Sequence, residues 1–237
     1  LTRSSAASDV YKRQDGHDLT ILDRNIFLSK EQFCTEFVMK DSRDIKEDIF
    51  KDVDLVLDYS GISNDPSGDI DEKLTYSVNV FGRKNIAECA KNAGVPRYVF
   101  ASTCSVYGAV ESLDPVDETY ELKPLTAYAK SAVEMEKELK LLACDDFKVL
   151  CIRHGTVYGF SPKMRLDLVV NLMCKNAIEK GKIFVTGGGN QRRPLVSLKT
   201  IANFISILTT RQEKFIPSGT YDIVNLAEEN VKMNELA

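Results

Sequence analysis

Tyr98-Val99-Phe100-Ala101-Ser102-Thr103-Cys104-Ser105-Val106-Tyr107-Gly108 passes from a continuous apolar run into small hydroxyl residues. Such a run suits a strand covered by helices on both faces, and its ending suits the carboxyl edge of a parallel sheet, where ligands sit. The same pattern recurs on either side. Strands are predicted at Leu19–Leu22, Glu36–Met39, Leu55–Tyr59 and Lys148–Arg153, and Val53 to Pro66 repeats the passage from strand to small-residue loop. Between them Leu74, Val78, Phe81, Cys89 and Ala93 mark one face of a helix that Gly94 ends, with Pro96 just beyond. Tyr128, Ala132, Met135, Leu139 and Leu142 alternate steps of four and three along a second helix. Strands alternating with helices in this way indicate βαβ units, hence an α/β fold with a Rossmann-like, doubly wound parallel sheet. After Tyr158 the alternation weakens: helices are predicted over Asp167–Lys180 and Thr200–Leu208, strands over Ile183–Thr186 and Tyr221–Val224.

Composition narrows the function. A net charge of −4 from 31 basic and 35 acidic residues gives no footprint for nucleic acid or an anionic membrane, so a small-molecule partner is expected. The six cysteines contain no C-x-x-C pair and the two histidines lie far apart, so neither a metal site nor a disulfide framework is expected. Free thiols inside apolar runs such as Val149 to Ile152 fit a reducing compartment, and the expected location is the cytoplasm. No stretch approaches the roughly 18 apolar residues of a membrane span.

Candidate chemistry gathers at predicted strand ends. Asp23-Arg24 closes the first strand, where a carboxylate can accept both hydroxyls of an adenosine ribose and repel a 2′-phosphate. Arg24 can partly offset that repulsion, and an exposed turn carboxylate is the plain alternative. A hydroxyl at Thr103 and a phenol at Tyr128, both near the carboxyl edge, can polarise a carbonyl and exchange its proton. No Gly-rich phosphate loop precedes the first strand, and Gly187-Gly188-Gly189 reads as a tight turn.

The order of motifs completes the reading: Gly16-His17 ahead of the first strand, the S-x-S-V-Y-G element ending at Gly108, L-x-x-Y-A-K-S around Tyr128, R-x-G-T-V-Y-G at Arg153 to Gly159, and G-G-G-x-Q-x-R-P at Gly187 to Pro194. In that series the chain resembles the extended short-chain dehydrogenase/reductase family, in its NAD-dependent epimerase/dehydratase branch, and Ser161 to Asn171 is similar to nucleotide-sugar members. The resemblance implies NAD in preference to NADP, with Asp23 and Arg24 at the adenosine ribose and Asp41 and Ser42 near the adenine. Tyr59, Ser60 and Gly61 would line the loop under the cofactor, with Asp58 in place of a common histidine, and Asn79, Ser102 and His154 would adjoin it. Thr103 and Tyr128 would form the catalytic group, and Thr156, Asn171 and Arg193 would face the sugar or its diphosphate, a task that suits a guanidinium.

Two departures qualify the resemblance. The family's lysine four residues after the tyrosine is here Ala132, so the phenolate loses the cation that would lower its pKa. Lys130 is no substitute, because two residues turn a helix by about 200°. The family's first strand and Gly-rich loop are missing and its C-terminal substrate lobe is incomplete, so both ends are expected to be cut and the chain as given to bind NAD weakly. The expected division is a non-native or disordered tail over residues 1–14, an N-terminally truncated NAD-binding domain over 15–160, and a partial substrate lobe with interleaved Rossmann elements over 161–237. Transient hydride transfer on a nucleotide sugar is the leading expectation, and a homodimer is compatible with it. Its rivals are a single-direction NAD(P)-dependent reductase and a catalytically silent dinucleotide-binding protein, which Ala132 favours.

Overall fold

The computed structural model describes residues 16–24, 36–63, 65–110, 115–161, 164–210 and 219–237; the proposed tail over 1–14 lies outside them. Its longest strands are β4 (Arg97–Thr103) and β5 (Lys148–His154), paired in parallel over seven positions from Arg97↔Lys148 to Thr103↔His154. β3 (Val56–Asp58) lies outside β4 and β8 (Tyr221–Leu226) outside β5, giving a four-stranded parallel sheet in the order β3-β4-β5-β8. β1 (Thr20–Asp23) and β2 (Glu36–Met39) form a separate parallel pair.

Alternate residues of β4 face opposite layers, as the pleat requires. Tyr98 and Phe100 pack with Ile86, Ala87 and Ala90 of α3 (Arg83–Asn92) and with Met135 and Leu139 of α4 (Ala127–Leu142). Val99 turns the other way, joining Leu150 and Ile152 against Ile201, Ile205 and Leu208 of α6 (Leu198–Thr210). Burying each such side chain contributes about 1.5–3 kcal/mol, and both faces are used because helices cover both. α6 and β8 therefore belong to the main sheet although they follow Tyr158. Two short helices, α1 (Asp65–Ile70) and α2 (Glu72–Tyr76), lead through a π-helical turn at Ser77–Gly82 into α3. That wide turn breaks the single helical face read from Leu74 to Ala93.

The C-terminal part differs more from expectation. Ile183–Thr186 forms no strand: it follows α5 (Val169–Lys180), has no ladder partner, and leaves Ile183 39% and Phe184 57% exposed. The strand is instead β7 (Arg192–Ser197), which pairs in parallel with β6 (Thr156–Tyr158) and antiparallel with β9 (Glu229–Lys232). Its opening Arg-Arg-Pro hides it, since charge and proline both argue against a buried strand. Gly187–Gly189 is a turn, as read, with positive φ at all three residues.

One buried ion pair pins α4 to the sheet. Arg153 donates from Nε to Glu136 Oε1 at 2.9 Å and from Nη2 to Oε2 at 2.7 Å, while Ser102 Oγ donates to Oε1 at 2.6 Å. Both charged residues are nearly inaccessible, 2% and 3% exposed. Removing one partner leaves the other charge buried without compensation, a loss of roughly 3–5 kcal/mol. Glu136→Ala is therefore expected to lower Tm by roughly 10 °C in a thermal melt, and far more than an exposed change such as Glu134→Ala.

Candidate active site

The in-register end of β4 and β5 sets Thr103 beside His154 at the carboxyl edge. Thr103 is extended there and caps the short turn Cys104–Tyr107, its Oγ1 accepting from Ser105 N at 3.1 Å. α4 starts directly above. Thr126 caps it by accepting from Ala129 N at 3.2 Å, and Ala127 N donates to Asp69 Oδ1 at 3.0 Å, so Tyr128 stands in the first turn. Gly68 of α1 admits it, since a Cβ there would lie 3.0 Å from Tyr128 Cβ. The Thr103 hydroxyl is a polar neighbour of the Tyr128 phenol. Burial pushes the Tyr128 phenol up; the Thr103 hydroxyl and then the Arg83 charge pull it down, Asp65 pushes it up, and Arg165 pulls it down.

His154 is enclosed, and burial holds its pKa down to about 4. It is therefore neutral at pH 7. Nδ1 lies 3.0 Å from the Ile152 carbonyl and takes the proton, which leaves Nε2 to accept from Tyr59 OH at 3.2 Å. Ser102 commits its hydroxyl to Glu136 rather than to the crevice.

Asp58 and the loop after it form the floor. Asp58 accepts from Tyr98 OH at 2.8 Å, Ser60 Oγ at 2.6 Å and Ser60 N at 3.0 Å. Gly61, at φ 116°, closes over Asn79 and Arg83. Asn79 clasps the loop through both ends of its amide, accepting from Ile62 N at 2.8 Å and donating to Ile62 O at 3.0 Å. It also donates to Ser131 Oγ of α4 at 3.3 Å. Ala132 is buried against Val106 and Tyr107, and Lys130 is exposed, as the helical angle requires.

The ribose-end candidates also cluster. Asp23 ends β1, and Arg24 next to it leans toward Asp41, with Nε 3.6 Å from Oδ2. Arg43 grips the same carboxylate at 2.8 Å and, with its own backbone amide and Arg24, holds it down to about 2. Ser42 is buried under Gly82, where a Cβ would stand 2.4 Å from its Oγ. At the other end, Thr156 lies opposite Leu195, two positions beyond Arg193. Arg193 is exposed and lines a cavity with Met173, Phe184, Thr186, Gln191 and Met233. Asn171 holds the preceding segment, accepting from Gly159 N at 3.3 Å and donating to Arg165 O at 2.9 Å. Among the described residues no cluster of histidine, cysteine or carboxylate side chains is arranged to hold a metal, and no helix is long and apolar enough to cross a membrane.

Sequence reading overlooked Arg83, Asp65 and Arg165 as neighbours of Tyr128. Only Arg83 carried a signal, its spacing of four from Asn79 on one helix.

Residues 5–226 match the family model described as NAD dependent epimerase/dehydratase family. The chain belongs to that family. A Methanocaldococcus jannaschii protein provisionally named UDP-glucose 4-epimerase is 28% identical over 216 residues, covering 87% of this chain and 70% of the relative. A Mus musculus protein named dTDP-D-glucose 4,6-dehydratase is 30% identical over 168 residues, covering 68% of this chain and 46% of the relative. Among solved structures, TunA, described as an NAD dependent-NDP-hexosamine 5,6-dehydratase, superposes with TM-score 0.83 at 25% identity, covering 97% of this chain and 74% of that one.

His154 offers a direct check on the buried edge. In the unfolded chain its imidazole titrates near 6.5, so between that pH and about 4 the unfolded state binds the extra proton. Stability is full above about pH 6.5 and falls as pH drops toward 4. Chemical denaturation across this range is expected to show that decline, and His154→Gln to flatten it.

Proposed function

We propose that the full-length protein interconverts or dehydrates a nucleotide sugar, with Tyr128 as the group that takes and returns the substrate hydroxyl proton and Thr103 as the group that orients that hydroxyl. The observation that carries this is the placement of Thr103 at the end of β4 and of Tyr128 in the first turn of α4, neighbours at the carboxyl edge beside a neutral His154. Bound NAD would supply reversible hydride acceptance at the sugar carbon. The residues present suit it: an acceptor carboxylate at the end of β1, a small-residue floor, and an uncharged imidazole that does not repel a cationic ring.

The roles follow from chemistry. Asp23 accepts the adenosine ribose hydroxyls, with Arg24 drawn aside by Asp41, and Asp41 with Ser42 borders the adenine. Tyr59, Ser60, Gly61 and Asn79 form the floor, and the Ser102 and His154 strand ends carry the nicotinamide side. Thr156 and Arg193 face the sugar diphosphate, where a guanidinium can grip two oxygens, and Asn171 shapes that wall. The cytoplasm, which supplies both the cofactor and nucleotide sugars, is the proposed location.

The test is turnover with UDP-glucose, UDP-N-acetylglucosamine and dTDP-glucose under catalytic NAD. Tyr128→Phe is expected to lower kcat by about 10²–10⁴-fold while NAD affinity holds. Stoichiometric consumption of NADH would favour the one-way reductase, and NAD binding without turnover on any sugar the silent binding protein. Calorimetry is expected to show tighter binding of NAD than NADP, and Asp23→Ala to narrow the difference; equal affinities in the unmodified protein would refute the role given to Asp23.

A further inference from the structure

Arg83 is 3% exposed, yet no step above uses it. It follows Asn79 by four residues, and both side chains reach under the same glycine: a Cβ on Gly61 would lie 2.6 Å from Asn79 Oδ1 and 2.9 Å from Arg83 Nη2. Asn79 touches Ser131, and Ser131 Oγ donates to the Tyr128 carbonyl at 2.8 Å. The guanidinium thus shares the space under Gly61 with Asn79, which reaches the start of α4, where Tyr128 and Ala132 stand on successive turns.

How it is held matters as much. Nη2 donates to the Ser60 carbonyl, and Cζ lies 4.8 Å from the centre of the Phe100 ring. Nε is 3.9 Å from Asp58 Oδ2, too far for a hydrogen bond, and is buried with no partner. Asp58 is meanwhile satisfied by Tyr98 and Ser60. The carboxylate balances the buried charge without tying up the Nε edge. The charges facing Tyr128 are Arg83 from α3, Asp65 from the start of α1, and Arg165 from the segment before α5, with the Thr103 hydroxyl from β4. Arg165 is bound to Asp167 and Ser63 and its side chain is 35% exposed, so solvent screens it.

We propose that Arg83 supplies Tyr128 with the cation that position 132 lacks, acting as a positioning residue that favours the phenolate without touching the substrate. This rests on the reading of Tyr128 as the proton-transfer group. In the reaction the phenolate takes the hydroxyl proton and later returns it; Arg83 keeps its own protons throughout, because a guanidinium does not deprotonate in a protein. Two departures from the family pattern then belong together. Ala132 gives up a cation, and Asp58 balances the one that replaces it.

The test is the Tyr128 titration, read by NMR of protein labelled at the tyrosine ring Cζ and assigned with Tyr128→Phe, together with the pH profile of kcat. Because Arg83→Met alone strands a buried Asp58 and risks unfolding, the working variant is Asp58→Asn with Arg83→Met. Its Tyr128 midpoint and the acid limb of its profile are expected to move up by about one pH unit or more, the size of shift a nearby opposite charge produces. Adding Ala132→Lys should bring both back, as should Arg83→Lys in place of Arg83→Met. A merely structural Arg83 would lower kcat without moving either midpoint, and that result overturns the proposal, as does a midpoint that answers only to Arg165→Met. A midpoint that moves with Arg83 while Tyr128→Phe retains full turnover would leave this electrostatic assignment standing and remove the catalytic role of Tyr128 instead.

Discussion

Glu136, held by both arms of Arg153 and by Ser102, is the contact on which the site geometry depends. It lies eight residues after Tyr128 on α4, so it anchors the helix two turns from the phenol and on the sheet's own strands. Arg153 and Ser102 are register partners on β5 and β4. Their neighbours in sequence, His154 and Thr103, are the next pair along, at the open edge. The two strand residues that hold Glu136 and the Thr103–His154 pair at the rim are thus consecutive rungs of one ladder. The buried charges tolerate only one position of α4, because any slide would strip hydrogen bonds from desolvated groups.

The floor of the crevice follows a similar economy with different parts. Asp58, Tyr98 and Arg83 are buried polar groups in a place where a parallel sheet would otherwise present apolar strand ends. Burying a carboxylate and a guanidinium carries a large desolvation cost, and well-packed apolar residues would stabilise the fold at least as well. Retention of a charge at that cost points to use, and here the charge lies against the helix that carries Tyr128. Gly61 completes the arrangement, since a side chain there would meet both Asn79 and Arg83.

The two ends of the crevice are built on different principles. Beyond β1 and β2, a cluster of Asp41, Arg43 and Arg24 is half open to solvent, where ion pairs contribute little to stability and mainly direct side chains. Its effect is to turn Arg24 toward Asp41 and leave Asp23 to define the strand end. At the opposite end, β6, β7 and β9 form a small mixed sheet whose Arg193 lines a cavity edged by α5 and Met233. The chain crosses from the main sheet to this one at Gly155, where a Cβ would press within 2.9 Å of the Pro194 carbonyl.

The sequence alone determined the main sheet, because period and composition report burial directly: β2 was legible residue for residue, and β4, β5, α4 and α6 to within two positions. It also put Thr103 and Tyr128 at the ends of strongly patterned elements, where the structure has them. It did not show β7, whose Arg-Arg-Pro start imitates a loop, nor exclude the Ile183–Thr186 strand, because an apolar run does not reveal whether a neighbour exists to pair with it. Charges were the other blind spot. At position 132 the sequence displayed a missing cation, and only the tertiary structure set Arg83 of a different helix among the charges facing Tyr128, because electrostatic partners are chosen by distance in space and not by spacing along the chain.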